Sequence, residues 1–437
     1  MRPATRRATR WAGTALAAVL ASTPAAGAET VAVVGGRVVT MGPLGTLDGA
    51  TVVIENGRIA AVGLDLAVPA GARVVDAAGK TVTPGLFDSS TQIGLVEIGA
   101  VAGSRDAATS DDRITAAFRV VDALNPSSTL IPVNRVEGLT RALVVPSPES
   151  SLIAGQAAVI HLGVGAGLGW DPVVRAPAAV YAVLGEEGAR LAGGSRGAAM
   201  LRLREALQDA RDHAANRAAF ERAERREYAL SRLDLEALAP VVRGELPLLV
   251  AADRASDLLR AVALAEEEGL ELVIAGAAEG WRVADRLAAA GVPVVLDPLV
   301  DLPKRFESLG ATLDNAARLH AAGVRIAFLS GSSHNARNLR QAAGNAVAHG
   351  LPWEAALAAM TTVPAAIWGV EGYGALAPGM DADLVVWDGD PLEVTTFPDH
   401  VFVRGVEMPM ETRQTRLRDR YLDLPEDGEL PPAYPRP

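Results

Sequence analysis

Thr83-Pro84-Gly85-Leu86-Phe87-Asp88 decides the fold once it is set beside Leu376-Ala377-Pro378-Gly379-Met380-Asp381-Ala382-Asp383-Leu384-Val385-Val386-Trp387. Each couples a Pro-Gly turn to an apolar run of strand length. They stand at opposite ends of a long region in which short apolar strands alternate with helical patterns. Leu143-Val145, Ala157-Leu162, Leu248-Val250, Leu272-Ile274, Val292-Leu296 and Val324-Leu329 read as strands. Residues 253–269, 281–291, 312–323, 336–350 and 353–368 read as helices, most of them ending at Gly, the residue that favours the left-handed C-cap. Repeated strand–helix units imply an α/β fold with a parallel sheet, either doubly wound or closed as a (β/α)8 barrel. No G-x-G-x-x-G follows a strand, so a dinucleotide site has no support.

Outward from this region the chain is β-rich on both sides. Residues 29–80 hold candidate strands at Val31-Val34, Arg37-Thr40, Thr51-Glu55 and Arg73-Val75. Asn56-Gly57 sits between Val52-Val53-Ile54 and Ile59-Ala60-Ala61-Val62, the pattern of a type I′ hairpin, whose two central residues need positive φ. Residues 370–410 return to β at Asp383-Trp387 and His400-Arg404. Neither β-zone alone has enough strands for a stable sandwich, so the two are expected to build one together. Inside the strand–helix region, residues 201–243 are dense in Arg, Glu and Ala and read as a helical insertion with a solvated, mixed-charge surface. Residues 411–437, with Pro425, Pro431, Pro432, Pro435 and Pro437, carry no core-forming pattern and read as a mobile Pro-rich tail.

The first 28 residues read differently. Arg2, Arg6, Arg7 and Arg10 precede an apolar run from Trp11 to Ala21, and Ala26-Gly27-Ala28 supplies an A-x-A cleavage pattern. This is a secretory signal pattern, and the run is too short to span a bilayer comfortably, which argues against a retained anchor. Arg6-Arg7 matches a twin-arginine signal only weakly. The expected location is extracytoplasmic, a bacterial periplasm, with no membrane span after cleavage. The net charge of −11 and the absence of a basic stripe argue against nucleic acid. The chain has no cysteine, which excludes disulfides, thiolate metal sites and cysteine nucleophiles.

The two framing motifs, in this order at these ends, resemble the amidohydrolase superfamily, particularly imidazolonepropionase-like and dihydroorotase-like members. The resemblance covers nearly the whole chain after residue 28. It implies a TIM-like (β/α)8 barrel over residues 81–369 beside a small β-sandwich made by both chain ends. It also implies one or two divalent metals, commonly zinc, at the barrel mouth, lowering the pKa of a bound water for hydrolysis of C–N bonds. The family's ligands are a His-x-His pair after the "PGLID" strand, a carboxylated Lys or Glu in mid-barrel, a His after each of the next two strands, and an Asp after the last.

Those positions hold other residues here. The His-x-His sites are Ser90 and Gln92; the later ones are Ala251, Ala275 and Gly331. His161 falls near the bridging position, and His334 lies three residues beyond Gly331. Asp253 and Asp297 follow barrel strands, and Asp88 ends the first framing motif. These five are the candidates for a rearranged site, against the plainer reading that they cap helices or bond within loops. His213, His320, His349 and His400 read as surface or packing residues. Ser330, Ser332, Ser333 and His334 are close in sequence, but no G-x-S-x-G elbow supports a serine hydrolase. Two functions follow. One is a non-catalytic family member without a cofactor, binding a small molecule and associating with itself or with a catalytic homologue. The other is a C–N hydrolase acting on cyclic amide-like bonds through a rearranged site.

Overall fold

The computed structural model describes Glu29–Leu422. The expected signal peptide and the tail beyond Leu422 lie outside the described residues. Two eight-stranded sheets organise the chain. The first contains β1 (Val31–Val39), β2 (Thr46–Glu55), β3 (Arg58–Gly63), β4 (Arg73–Asp76) and β5 (Thr81–Pro84) from the N-terminal zone. It is completed by the last three strands of the chain, β14 (Leu384–Trp387), β15 (Pro398–Val403) and β16 (Val406–Glu407). β14 pairs with β5, Leu384 opposite Pro84 and Val386 opposite Val82, so the two framing motifs lie side by side. The Asn56-Gly57 turn has φ of 52° and 78°, as the hairpin requires. Gly57 is needed for a second reason: a Cβ there would sit 2.8 Å from the Arg404 carbonyl.

The second sheet runs β6 (Leu86–Thr91), β7 (Leu139–Val144), β8 (Ile153–His161), β9 (Val173–Val183), β10 (Leu248–Ala252), β11 (Leu272–Gly276), β12 (Val294–Leu296) and β13 (Ile326–Phe328). It curls into a nearly closed barrel. The gap between its end strands is bridged by the chain at Ala359-Met360, whose carbonyls accept from Phe328 N (2.9 Å) and Phe87 N (2.7 Å). Phe87, Leu143, Val159, Leu249, Val273, Val295 and Ala327 fill the interior, with Trp368 and Tyr373. A second apolar layer lies between the barrel and its helices.

The expectation of a uniformly parallel barrel is corrected at one strand. β8 is antiparallel to both β7 and β9, while the other pairs are parallel. The reason is chain length. Only residues 145–152 separate β7 from β8, and only the glycine-rich residues 162–172 separate β8 from β9. Neither holds the dozen or more residues of a parallel crossover, so both connections are hairpins. β9 itself has no counterpart among the expected strands.

Other boundaries shift as well. The helical insertion begins before residue 201, with helices Gly185–Leu191 and Arg196–Ala215, and ends with Arg232–Val242. The predicted helix 353–368 is two short helices, Trp353–Ala358 and Thr362–Ile367, broken at Thr361. At the start of the tail, Arg413–Leu422 forms a helix that buries none of its residues. Among the described residues no helix is long and apolar enough to cross a membrane.

Candidate functional site at the barrel mouth

The carboxyl ends of the parallel strands define the mouth. Val295 of β12 points into the barrel, and two residues on, Asp297 stands at the rim. Asp253 follows β10 in the same way after Ala251. Both aspartates line a cavity of about 250 Å³ together with Gly276, Val300, Lys304, Arg305 and Leu329. Asp253 Oδ1 accepts from Ala278 N at 3.1 Å, and Asp297 Oδ1 accepts from Leu299 N at 2.9 Å. Gly276 makes room for this: a Cβ there would lie 2.6 Å from Asp253 Oδ1. Burial raises both carboxyls above the ordinary range; the Ala278 amide and the Arg305 charge oppose this at Asp253, the Leu299 amide and the Lys304 charge at Asp297.

Asp88, near the end of β6, is fully buried. Its Oδ1 accepts from Ser90 N (3.0 Å) and Ser330 N (3.1 Å), and its Oδ2 accepts from the Ser330 hydroxyl. Burial nevertheless pushes the carboxyl up to about 7, and the charge of Asp297 adds to the rise. Tyr181 of β9, whose phenol is pushed up to about 12 by burial and by Asp253, belongs to the interior cluster with Ala251, Ala275 and Leu329.

The residues at the family's ligand positions meet here in part. Gly331 N donates to Ser90 O at 3.2 Å, and Ala251 pairs directly with Ala275 across β10 and β11. Gln92 turns aside, its amide nitrogen bonded to the Ser147 hydroxyl.

His161 is where the structure departs most from expectation. Because β8 is reversed, its last residue lies at the opposite end of the barrel, paired with Arg141 of β7. There it is fully buried beside the sandwich, with Nε2 3.1 Å from Asp171 O and Nδ1 accepting from Gly163 N at 3.2 Å. Burial and the charges of Arg141 and Arg404 lower its pKa to about 4, so it stays neutral. It is a structural histidine and cannot contribute to the mouth. At the mouth end of β8 there is Gly155, where a Cβ would lie 2.5 Å from Phe118 O. His334 is exposed on the loop after β13 and bonds to nothing among the described residues. Asp253 and Asp297 therefore line one cavity at the mouth, Asp88 is buried against Ser90 and Ser330 outside that lining, and the two histidines do not join them. The basic rim of Lys304 and Arg305 was not anticipated; its signal was a Lys-Arg pair in the loop that follows Asp297.

A divalent metal of the family type does not fit these residues. Zinc requires three or four converging imidazole or carboxylate donors. Ala251, Ala275 and Gly331 offer no side-chain donor, and Asp88 is held by Ser90 and Ser330. Among the described residues no group of three or more His, Asp or Glu is arranged to hold a metal.

The amidohydrolase family profile matches residues 199–410. The amidohydrolase tasK of Hapsidospora irregularis is 28% identical over 392 residues, covering 81% of this chain and 39% of that protein, so this chain spans about two fifths of that relative's length. The imidazolonepropionase of Mycolicibacterium smegmatis is 50% identical over 52 residues, 12% of this chain and 13% of that one. An amidohydrolase structure from Thermotoga maritima superposes with a TM-score of 0.77 at 28% identity, covering 87% of this chain and 99% of that one. With the barrel, the two-ended sandwich and both framing motifs, these likenesses show an amidohydrolase-family domain over residues 199–410 and a fold similar to that of a solved amidohydrolase.

Proposed function

We propose that this is a non-catalytic, exported amidohydrolase-fold protein that binds a small polar molecule at the barrel mouth. The observation that carries the reading is the chemistry of the strand ends: Ala251, Ala275 and Gly331 supply no metal donor, and His161 lies at the opposite end of the barrel. Without a metal, the fold keeps a shaped, charged cavity and loses the means to activate water. Export rests on the signal pattern of residues 1–28. Association with a second copy or with a catalytic homologue belongs to the same proposal.

One observation favours a second reading, a C–N hydrolase with a rearranged site. Asp88, with a carboxyl near 7 and Asp297 close by, has the proton affinity of a general base. Elemental analysis of the purified protein, followed by assays on cyclic amides, ureas and N-acyl amino acids with and without added zinc or manganese, separates the two. Absence of turnover in every condition is the expected result. Turnover lost on Asp88→Asn would establish the hydrolase instead.

A further inference from the structure

The loop that follows β12, residues 297–309, supplies half of the residues that line the mouth cavity: Asp297, Val300, Lys304, Arg305 and Ser308. It is fastened only near its ends. Pro298 is buried at one end, Glu307 and Ser308 at the other, and no residue between them is buried. Leu302 and Phe306 stand 73% and 82% exposed, so nothing packs over the loop from outside. Among the described residues, the hydrogen bonds of residues 299–306 stay within the loop. The Leu299 and Val300 amides donate to Asp297, and Arg305 bonds with the Ser308 hydroxyl. A stretch with so few buried contacts belongs to the least stable part of a fold.

The fastening at Glu307 is specific. Its Oε2 accepts from Glu186 N at 2.5 Å and from Arg196 at 3.1 Å. Its own amide donates to Glu186 Oε1 at 2.9 Å, so the two glutamates exchange side-chain and backbone bonds. Gly185, with φ of 68°, leaves room for this seat: a Cβ there would run into the Glu307 carboxylate. We propose that residues 297–309 form a lid on the mouth cavity and that Glu307 is its latch, so that release of Glu307 from Glu186 and Arg196 opens the cavity. Release strands no charge. Arg196 keeps Asp257, at 2.9 Å, and water replaces the bonds of a carboxylate whose burial was costly. Opening also removes half of the cavity wall at once, because the residues that line it lie on the same short span. A lid of this kind serves a binding cavity and a catalytic one alike.

The absence of cysteine from the chain supplies the test. Leu329→Cys places a single thiol on the cavity lining, outside the lid, and its rate of modification by a bulky aromatic disulfide reports entry to the cavity. Adding Glu307→Gln, which removes the charge from the latch, should speed that modification about tenfold, the worth of one charge-assisted hydrogen bond. Glu186→Ala, which removes the acceptor of the Glu307 amide at a half-buried site, should speed it by a smaller factor. A second reporter, Val33→Cys in the sandwich core, should react no faster in either background. An unchanged rate at Leu329→Cys in both latch variants would overturn the proposal. So would a thiol there that reacts at the rate of a free thiol with the latch intact. Equal acceleration at Leu329→Cys and Val33→Cys would show that Glu307 supports the whole fold, and that too would overturn the lid.

Discussion

Asp88 and Arg141 are both charged residues taken wholly out of water, and the protein treats them in opposite ways. Asp88 receives three hydrogen bonds and no counter-charge, so its carboxyl rises from near 4 to about 7. A carboxyl that binds its proton more tightly when folded stabilises fully at acid pH and loses that contribution as pH rises through the folded value. At 1.36 kcal/mol per unit, wild type should lose about 3 kcal/mol more than Asp88→Asn between pH ~5 and pH ~8, read from urea denaturation at each pH. A parallel pair of profiles would show that Asp88 keeps its ordinary acidity. Arg141 instead has dedicated partners. It donates to Asp383 at 2.7 and 3.2 Å and to Asp381 at 3.0 Å, and lies 5.1 Å over the Tyr373 ring. Arg141→Ala strands the buried Asp383 and should cost about 3–5 kcal/mol; Arg141→Met with Asp383→Asn should cost less than the two single changes added.

Among the elements, β8 teaches most about what a sequence discloses. The framing strands, the Asn56-Gly57 hairpin and the run of strands from β10 to β13 were all legible, because each is a local pattern: apolar residues of strand length, a turn with its required φ, glycine at a helix end. The direction of β8 is not a local property. Its residues suit a strand running either way, and only the short spans 145–152 and 162–172 betray the hairpins. Reading it as one more parallel strand put His161 at the wrong end of the barrel, while Asp253 and Asp297, which follow ordinary parallel strands, lie on one cavity lining and bond to loop amides. The cavity's basic rim escaped because an exposed Lys-Arg pair in a loop has no pattern until the loop is folded. β8 also carries its own test. Gly155 has φ of 132° and a Cβ there would press on Phe118 O, whereas Gly193 has φ of 86° with open space around it. Gly193→Ala should cost only backbone strain, about 1–3 kcal/mol, and Gly155→Ala measurably more, by the same denaturation assay. Equal costs would mean that the Phe118 loop yields freely.

At the scale of the whole molecule, barrel and sandwich are joined by buried polar contacts. Arg141 of β7 reaches Asp383 beside β14, and Tyr373 in the barrel cluster donates to Gly85 O, next to β5, at 2.5 Å. Two bodies so connected should melt as one. Calorimetry should give a single transition whose calorimetric and van't Hoff enthalpies agree, and two resolved peaks would show that the sandwich opens alone. The pairing of β5 between β1 and β14 carries a consequence for biosynthesis. As the polypeptide emerges, β1 to β5 are completed early, yet the neighbour that covers β5 begins only at Leu384. Until that late segment arrives, β5 presents a row of bare amides and carbonyls, the kind of edge on which newly made chains cross-associate. Until Leu384–Trp387 is made, that edge can be satisfied only by water or by another chain.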